Sequence, residues 1–462
     1  MDEGCVLSLS YRDKALTAAV YDRAGRLMSS SVRPLSDNSS PPDAISPDEI
    51  LTSAITLLEI VVRRAGISPY DVCAIGVSAS PHAVVAWEAV SGLPLFSFFI
   101  PFSDAVGNPD VRLKSLQSRI ASYDISSQSA THQIIIGGIE SWLIWNLTQG
   151  QNLVLDAGHD LVRLKDVATD GEQKWLQDLG ISMVKLPRIV RSVGVIGRLS
   201  AVYLDGARIP VTAVTNHQSA AHLGAGIETA GEAYVSYERD GFAAVRSHAL
   251  SANIHSFPGT LLFTQEASVN PFGTDDHILV GRFFVPQLAL AWVDQFASES
   301  PSYAEISAAI SDGDVVVSNF SKSSTERAAI IGITDETSAS DIYMAGLRAL
   351  AFTAADLLDE FSRVTTVQID AIHCERIGYG TYTFLSLQAA VSGTRVYVHE
   401  EDCASLGVAL LAGIGAGIWD QQSVFAMLRE RSNIKELDVP DLPKLREHAR
   451  LTWRKLSQQL WI

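Results

Sequence analysis

Between Val214 and Gly226 the chain reads Val-Thr-Asn-His-Gln-Ser-Ala-Ala-His-Leu-Gly-Ala-Gly. A polar cluster, Thr215 to Ser219, is followed by the small residues Ala220, Ala221, Gly224, Ala225 and Gly226. The pattern predicts a strand end that delivers polar side chains into a cleft, then a helix packed closely on a neighbour. Open α/β sheets hold ligands just past the carboxyl ends of their strands, which makes His217 and Gln218 the first site candidates. A histidine can act as general base near neutral pH. The same residues also suit a polar turn whose histidine merely caps the helix.

The elements that would position this stretch follow from periodicity. Val6 to Ser10, Leu16 to Tyr21 and Arg26 to Val32 read as three strands, with a turn at Asp22 to Gly25. After a polar loop, Arg33 to Ala44, Ser46-Pro47-Asp48-Glu49 is a helix start: a capping serine, proline at the first helical position, and glutamate three residues after the cap. Leu51, Ile55, Leu58 and Val62 fall on one face, and Gly66 ends the helix. Strands are expected at Val72 to Ser78, Val84 to Trp87 and Pro210 to Val214, with helices at Gly138 to Gln149 and from Lys174 to Leu179.

Beyond Gly226 the pattern restarts. Ala233 to Tyr237 and Phe242 to Arg246 form a strand pair like the one at the start of the chain. Helices are expected at Pro286 to Phe296, Ser340 to Val364, Thr381 to Ser392, Ala404 to Ala416 and Leu442 to Trp461, and strands at Thr366 to His373 and Thr394 to His399. Two related α/β domains are expected, 1–228 and 229–462.

With 462 residues, 47% of them hydrophobic, the chain is long enough for two or three cores. A net charge of −17 argues against nucleic-acid and anionic-membrane partners. Four cysteines without a C-x-x-C pair exclude a disulfide scaffold and a cysteine-based zinc site, and suit a reducing compartment. There is no apolar run of spanning length. The acidic start, Met1-Asp2-Glu3-Gly4, is unlike a signal or transit peptide. A cytoplasmic protein is expected, with no metal site; His159, His222 and His373 read as packing or surface residues.

Gly138-Ile-Glu-Ser-Trp-Leu-Ile-Trp-Asn-Leu-Thr148 resembles a segment of glycerol kinases, in the FGGY carbohydrate kinase family. Val85 to Leu95 resembles the family's substrate-side strand and turn. His217 to Gly224 resembles the Asp-Gln-Gln-Ala-Ala stretch that supplies the catalytic base. Gly393 to Val396 and Ala404 to Gly417 resemble its C-terminal strand and helix. The order is shared, so the resemblance covers most of the chain. It implies an α/β fold of two actin-like (RNase H-like) ATPase domains with an interdomain cleft, the N-terminal domain on the substrate side and the C-terminal domain on the nucleotide side.

Phosphoryl transfer from ATP needs a backbone cradle for phosphates, a carboxylate for Mg²⁺ and a base for the attacking hydroxyl. In the family the first hairpin reads Asp-x-Gly-Thr-Thr. The matching positions here hold Ser10, Arg12, Asp13 and Lys14, so a hydroxyl replaces the anionic oxygen that hard Mg²⁺ prefers. The family's second hairpin carries Gly-Thr-Gly. Here it reads Tyr237-Glu238-Arg239-Asp240-Gly241, with Gly241 a position late. The adenine-side turn, Cys374 to Thr381, retains Gly378 and Gly380 in displaced positions. On the substrate side Pro81 and His82 replace adjacent arginine and glutamate, Gln218 is kept, and Asp104 corresponds to a family aspartate if the alignment is shifted by one residue. His217 stands where the family has its catalytic aspartate.

These departures imply a catalytically deficient pseudokinase with a binding, regulatory or assembly role and no required cofactor. The alternative is an active kinase of glycerol or a related polyol or sugar, using ATP and Mg²⁺ with His217 as base. Arg12, Lys14 and Arg239 either bind an anion directly or pair with Asp13, Glu238 and Asp240. His82, Asp104, His217 and Gln218 could form a polar pocket for a polyol or sugar, or an inherited pocket with no occupant. Self-association, or pairing with an active paralogue, is the expected mode of assembly.

Overall fold

The structure is a computed structural model that describes residues 4–12, 14–35, 46–99, 118, 133–159, 161, 184–237, 241–247, 268–269, 277–282, 295, 315–318, 329–376, 381–437 and 450–455. The chain divides into two compact units. The first comprises Met1–Gly226, Ala267–Asp276 and Asp402–Arg431; the second comprises Ile227–Glu266, His277–Glu401 and Ser432–Ile462.

The first unit opens with β1 (Cys5–Arg12), β2 (Ala15–Tyr21) and β3 (Leu27–Pro34), followed by α1 (Pro47–Ala65) and β4 (Val72–Ala79). Next come β5 (Ala83–Glu88), β6 (Pro94–Phe99), β7 (Ile134–Gly138), α2 (Ile139–Leu147) and β8 (Val154–Asp156). The unit continues through β9 (Val184–Lys185), β10 (Arg188–Val190), β11 (Val193–Arg198), β12 (Pro210–Asn216) and α3 (His217–Gly224). Its main sheet runs β11-β12-β4-β1-β2-β3, beside a smaller sheet in the order β6-β5-β7-β9 and the pair β8-β10.

Alternation along β1 decides what each face does. Leu7, Leu9 and Tyr11 point into a core shared with Ile50, Leu57 and Val61 of α1. The α1 signals act as expected: the Ser46 hydroxyl accepts the Glu49 N–H, Pro47 occupies the first turn, and Gly66 closes the helix at φ 68°, a left-handed conformation that costs glycine little. On the opposite face Ser8 Oγ lies 2.7 Å from Ser405 Oγ of α6 (Cys403–Gly415).

The second unit repeats this plan with β13 (Glu232–Ser236), β14 (Phe242–Ser247), β15 (His277–Arg282), β16 (Val316–Ser318) and β17 (Ala329–Ile331). Then follow α4 (Ala339–Thr365), β18 (Ala371–Glu375), α5 (Thr381–Ser392), β19 (Arg395–His399) and β20 (Ile434–Glu436). Its sheet runs β15-β14-β13-β18-β19-β20. Val235, Ile372, Cys374, Val396 and Val398 meet Leu347, Leu350 and Leu357 of α4 and Phe384 and Leu385 of α5. In each unit an antiparallel meander is followed by two parallel strands and one antiparallel edge strand. The repeated pattern read from the sequence is therefore a repeated topology.

The structure adds to these expectations and shifts one of them. One boundary near residue 228 does not anticipate that α6 and α7 (Gln421–Arg429) return to the first unit. The strand expected from Thr366 begins only at Ala371, because Thr366 takes φ 56° and caps α4. The segments expected as helices at Lys174 to Leu179 and Pro286 to Phe296 lie outside the described residues except for position 295, and of Leu442 to Trp461 only 450–455 is described, as helix. His373, expected to be a packing or surface residue, is a packing one: it is buried, and its Nδ1 lies 3.0 Å from Nε2 of His399 on the neighbouring strand.

Candidate functional site

Strands β1, β4 and β12 lie side by side, and their carboxyl ends carry most of the candidate residues of the first unit. Register places Thr17, Ser10, Ser78 and Thr215 in one row across β2, β1, β4 and β12. Ser78 Oγ–H donates to Ser10 Oγ at 2.9 Å, and Ser10 is 2% exposed. Thr215 Oγ1 is buried without a hydrogen-bond partner. This strand end therefore presents a buried row of neutral hydroxyls.

Arg12 and Lys14 occupy the hairpin beyond Ser10. Arg12 Nη2 lies 3.6 Å from Asp402 Oδ2, and Asp402 Oδ1 accepts the Ser405 N–H at 2.8 Å as the cap of α6. The acid facing Arg12 thus comes from the far end of the sequence, a partner the sequence reading did not consider. Lys14 sits at φ 57°, a strained region for a side chain with a Cβ, and its carbonyl accepts the Leu35 N–H at 2.8 Å. Gly241 immediately precedes β14 in the second unit. Asp104, Arg239, Gly378 and Gly380, with Asp13, Glu238 and Asp240, lie outside the described residues.

His82 lies in the tight turn between β4 and β5, and His217 and Gln218 form the first turn of α3; all three are buried. The turn of direction from β12 to α3 is made by Asn216. Its backbone is extended, and its Oδ1 accepts the Ser219 N–H at 2.9 Å, an N-cap that fixes where the helix begins. The small residues after it allow close packing. A Cβ on Gly224 would collide with the Cys403 carbonyl of α6, and one on Gly407 with the Ala220 carbonyl of α3. The helix expected to pack closely on a neighbour does so, backbone to backbone.

Behind Asn216 is a polar cluster that sequence reasoning missed. Asp156, at the end of β8, is 2% exposed. Its Oδ2 accepts the Asn216 N–H at 3.1 Å, the Asn216 Nδ2–H at 3.2 Å and the Gly158 N–H at 3.1 Å, and its Oδ1 accepts the Ser192 hydroxyl at 3.2 Å. Burial raises its pKa to about 6, opposed by these same hydrogen bonds. Glu140 of α2 is also buried, and neither carboxyl oxygen has a hydrogen-bond partner. Burial, reinforced by the charge of Asp156, raises its pKa to about 8, only partly opposed by its own backbone amide. Glu140 is therefore mostly protonated at pH 7.

His159 completes the cluster. Its Nδ1 accepts the Leu161 N–H at 3.1 Å, which leaves Nε2 as the protonated nitrogen, 3.2 Å from the Ala83 carbonyl it donates to. A Cβ on Gly138 would lie 2.6 Å from both His159 Nε2 and Glu140 Oε1, so the two groups converge on the space that glycine leaves open. The sequence signal for this cluster was thin. Nothing local distinguishes a buried acid on an apolar helix, such as Glu140, from a solvated one.

Comparison with known proteins agrees with this architecture. The solved glycerol kinase of Plasmodium falciparum with ADP superposes with a TM-score of 0.77 at 20% identity, covering 100% of this chain and 99% of that one. A xylulose kinase from Rhodospirillum rubrum gives 0.75 at 16% identity, covering 99% and 98%. The fold is that of the carbohydrate kinases, two actin-like (RNase H-like) α/β domains. By sequence, the glycerol kinases of Enterococcus faecalis and Halorhodospira halophila are 23% and 24% identical, over 93% and 92% of this chain and 93% and 90% of theirs. Residues 271–416 match the C-terminal domain of the FGGY family of carbohydrate kinases. The chain is thus similar to glycerol kinases along most of its length and carries a match to the FGGY family in its C-terminal half. No helix among the described residues is long and apolar enough to cross a membrane.

Proposed function

We propose that this chain is a catalytically deficient glycerol kinase-like protein, a pseudokinase with a binding, regulatory or assembly role. The observation that carries the reading is the state of the first hairpin. The position of the family's magnesium-handling aspartate holds Ser10, whose neutral hydroxyl already takes a hydrogen bond from Ser78. The glycine position beside it holds Arg12, which faces Asp402. A buried hydroxyl row does not fit Mg²⁺, which is held by anionic or strongly polar oxygens in near-octahedral order.

The substrate side is less altered. His82, His217 and Gln218 are buried polar groups at adjoining strand ends, a set suited to the hydroxyls of a polyol or sugar, with Asp104 as a further candidate. In this reading the first unit is the substrate side, the second unit a degenerate nucleotide side, and the protein assembles with itself or with an active relative.

The test is a coupled ADP-release assay against a polyol panel, with calorimetric titration of ATP in the presence and absence of Mg²⁺. The expected result is no turnover and no magnesium-dependent binding. Turnover at about 1–100 s⁻¹, the usual range of kinases, would establish the alternative, an active polyol kinase with His217 as base. A thermal-shift screen with glycerol and simple sugars tests the pocket separately, because a ligand bound only by the folded state raises the melting temperature.

A further inference from the structure

We propose that Asp156 is the positioning residue of the candidate site: its carboxylate holds Asn216, and through Asn216 the first turn of α3 that carries His217 and Gln218. The chain of contacts is continuous. Asp156 Oδ2 receives both the backbone and the side-chain N–H of Asn216 at 3.1 and 3.2 Å, and Asn216 Oδ1 in turn receives the Ser219 N–H at 2.9 Å. The Asn216 amide is thereby used at both ends. Its nitrogen is anchored on β8 and its oxygen caps the helix, which fixes the rotation of the side chain and the point at which β12 gives way to α3.

The anchor itself is held in place. Gly158 N–H and Ser192 Oγ–H donate to the same carboxylate, one from the turn after β8 and one from the turn between β10 and β11. Four donors around one buried anion make a charge-assisted set, stronger than neutral pairs. The hydrogen bonds oppose the effect of burial on its pKa, so the carboxylate remains mostly ionised at pH 7. The neighbouring Glu140, being mostly protonated, adds little opposing charge.

Asp156 therefore acts on the site through Asn216 rather than by touching a ligand. This inference rests on the reading that His217 and Gln218 line the ligand pocket, but the brace can be tested without any ligand. Hydrogen exchange is measured on the full chain and on Asp156→Asn, Asn216→Ser and the double variant, together with the histidine ring resonances by NMR.

In Asp156→Asn the amides at the start of α3 are expected to exchange about tenfold faster, the loss of one charge-assisted hydrogen bond. The His217 ring resonance shifts, while β1 and the His373 ring stay as they were. Serine at 216 can still cap the helix and keeps its backbone N–H on Asp156 but loses the side-chain amide donor, so Asn216→Ser alone reproduces part of the change. Asp156→Asn then adds less in its background than it does alone, the non-additivity expected of two residues acting as one unit.

Unchanged exchange at α3, uniform acceleration across the first unit, or fully additive effects would overturn the proposal. If Asp156→Asn fails to fold, the comparison is made with Ser192→Ala, which weakens the same carboxylate from the other side and is expected to loosen α3 less. No loosening in Ser192→Ala would count against the brace. Failure of the ligand reading would appear elsewhere, as the absence of any thermal shift with polyols, and leaves the exchange result standing.

Discussion

Two neighbouring parts of the first unit treat charge in opposite ways. At the start of α3 a buried carboxylate, Asp156, is surrounded by donors and sets the geometry of His217. At the first hairpin the corresponding strand end is lined by neutral hydroxyls, and its cation Arg12 faces an acid at the rim. The first region is held rigidly by groups with few alternatives; the second is neutralised by partly exposed groups with many. Neighbouring strand ends of one sheet can thus carry a braced ionic group at one place and a neutral row at another. The comparison predicts that changes around α3 cost far more than changes at the hairpin.

The largest effect is expected where α3 crosses α6. Gly224→Val places side-chain atoms against the Cys403 carbonyl, and backbone has no low-cost way to yield, so a loss of about 3 kcal/mol or more in urea unfolding is expected. A loss below about 1 kcal/mol would show that the two helices are not in close contact.

Glu140 comes next, and it sets a pH dependence. Its folded-state pKa is raised from 4.5 to about 8, so the folded state keeps a proton that the unfolded state gives up. Its contribution to stability is full below about pH 4.5 and declines as pH rises towards 8, at about 1.4 kcal/mol per pH unit at most. Asp156 is raised only to about 6, so between pH 6 and 8 Glu140 dominates. Unfolding measured at pH 6, 7 and 8 should show stability falling, and Glu140→Gln should flatten that fall. An equal slope in the variant would place the titrating group elsewhere.

Ser10→Ala removes one buried hydrogen bond at the hairpin and is expected to cost about 1 kcal/mol, read from the same unfolding curves. Arg12→Gln is the smallest. Arg12 and Asp402 are each roughly a fifth exposed, and such pairs contribute about 0–1 kcal/mol. A cost above about 2 kcal/mol for Arg12→Gln would erase the contrast between the two regions.

Much of the fold was legible. The α1 start and stop came from Ser46, Pro47 and Gly66, and the strand pairs of both units from alternation. Both signals act within a few residues of one another, and the structure reproduces them. His217 and Gln218 were legible as residues just past a strand end. The brace behind them was not. Asp156 sits in the short stretch Val154–Asp156, where no periodicity announces a strand, and its partners Ser192 and Asn216 are 36 and 60 residues away. The acid facing Arg12 escaped for the same reason: Asp402 is remote in sequence and lies across from it only in the fold.

By itself the sequence determined which segments become strands and helices, that the pattern occurs twice, and which residue types stand at the strand ends. These depend on local propensity, capping and the burial period of each segment, all carried by neighbouring residues. Only the tertiary structure decided that α6 belongs to the first unit, that Ser8 meets Ser405 across 397 residues, and that Asp156 governs the start of α3. Those outcomes depend on which surfaces close on one another, and a buried carboxylate or an unshielded glycine acquires its meaning from the group brought against it.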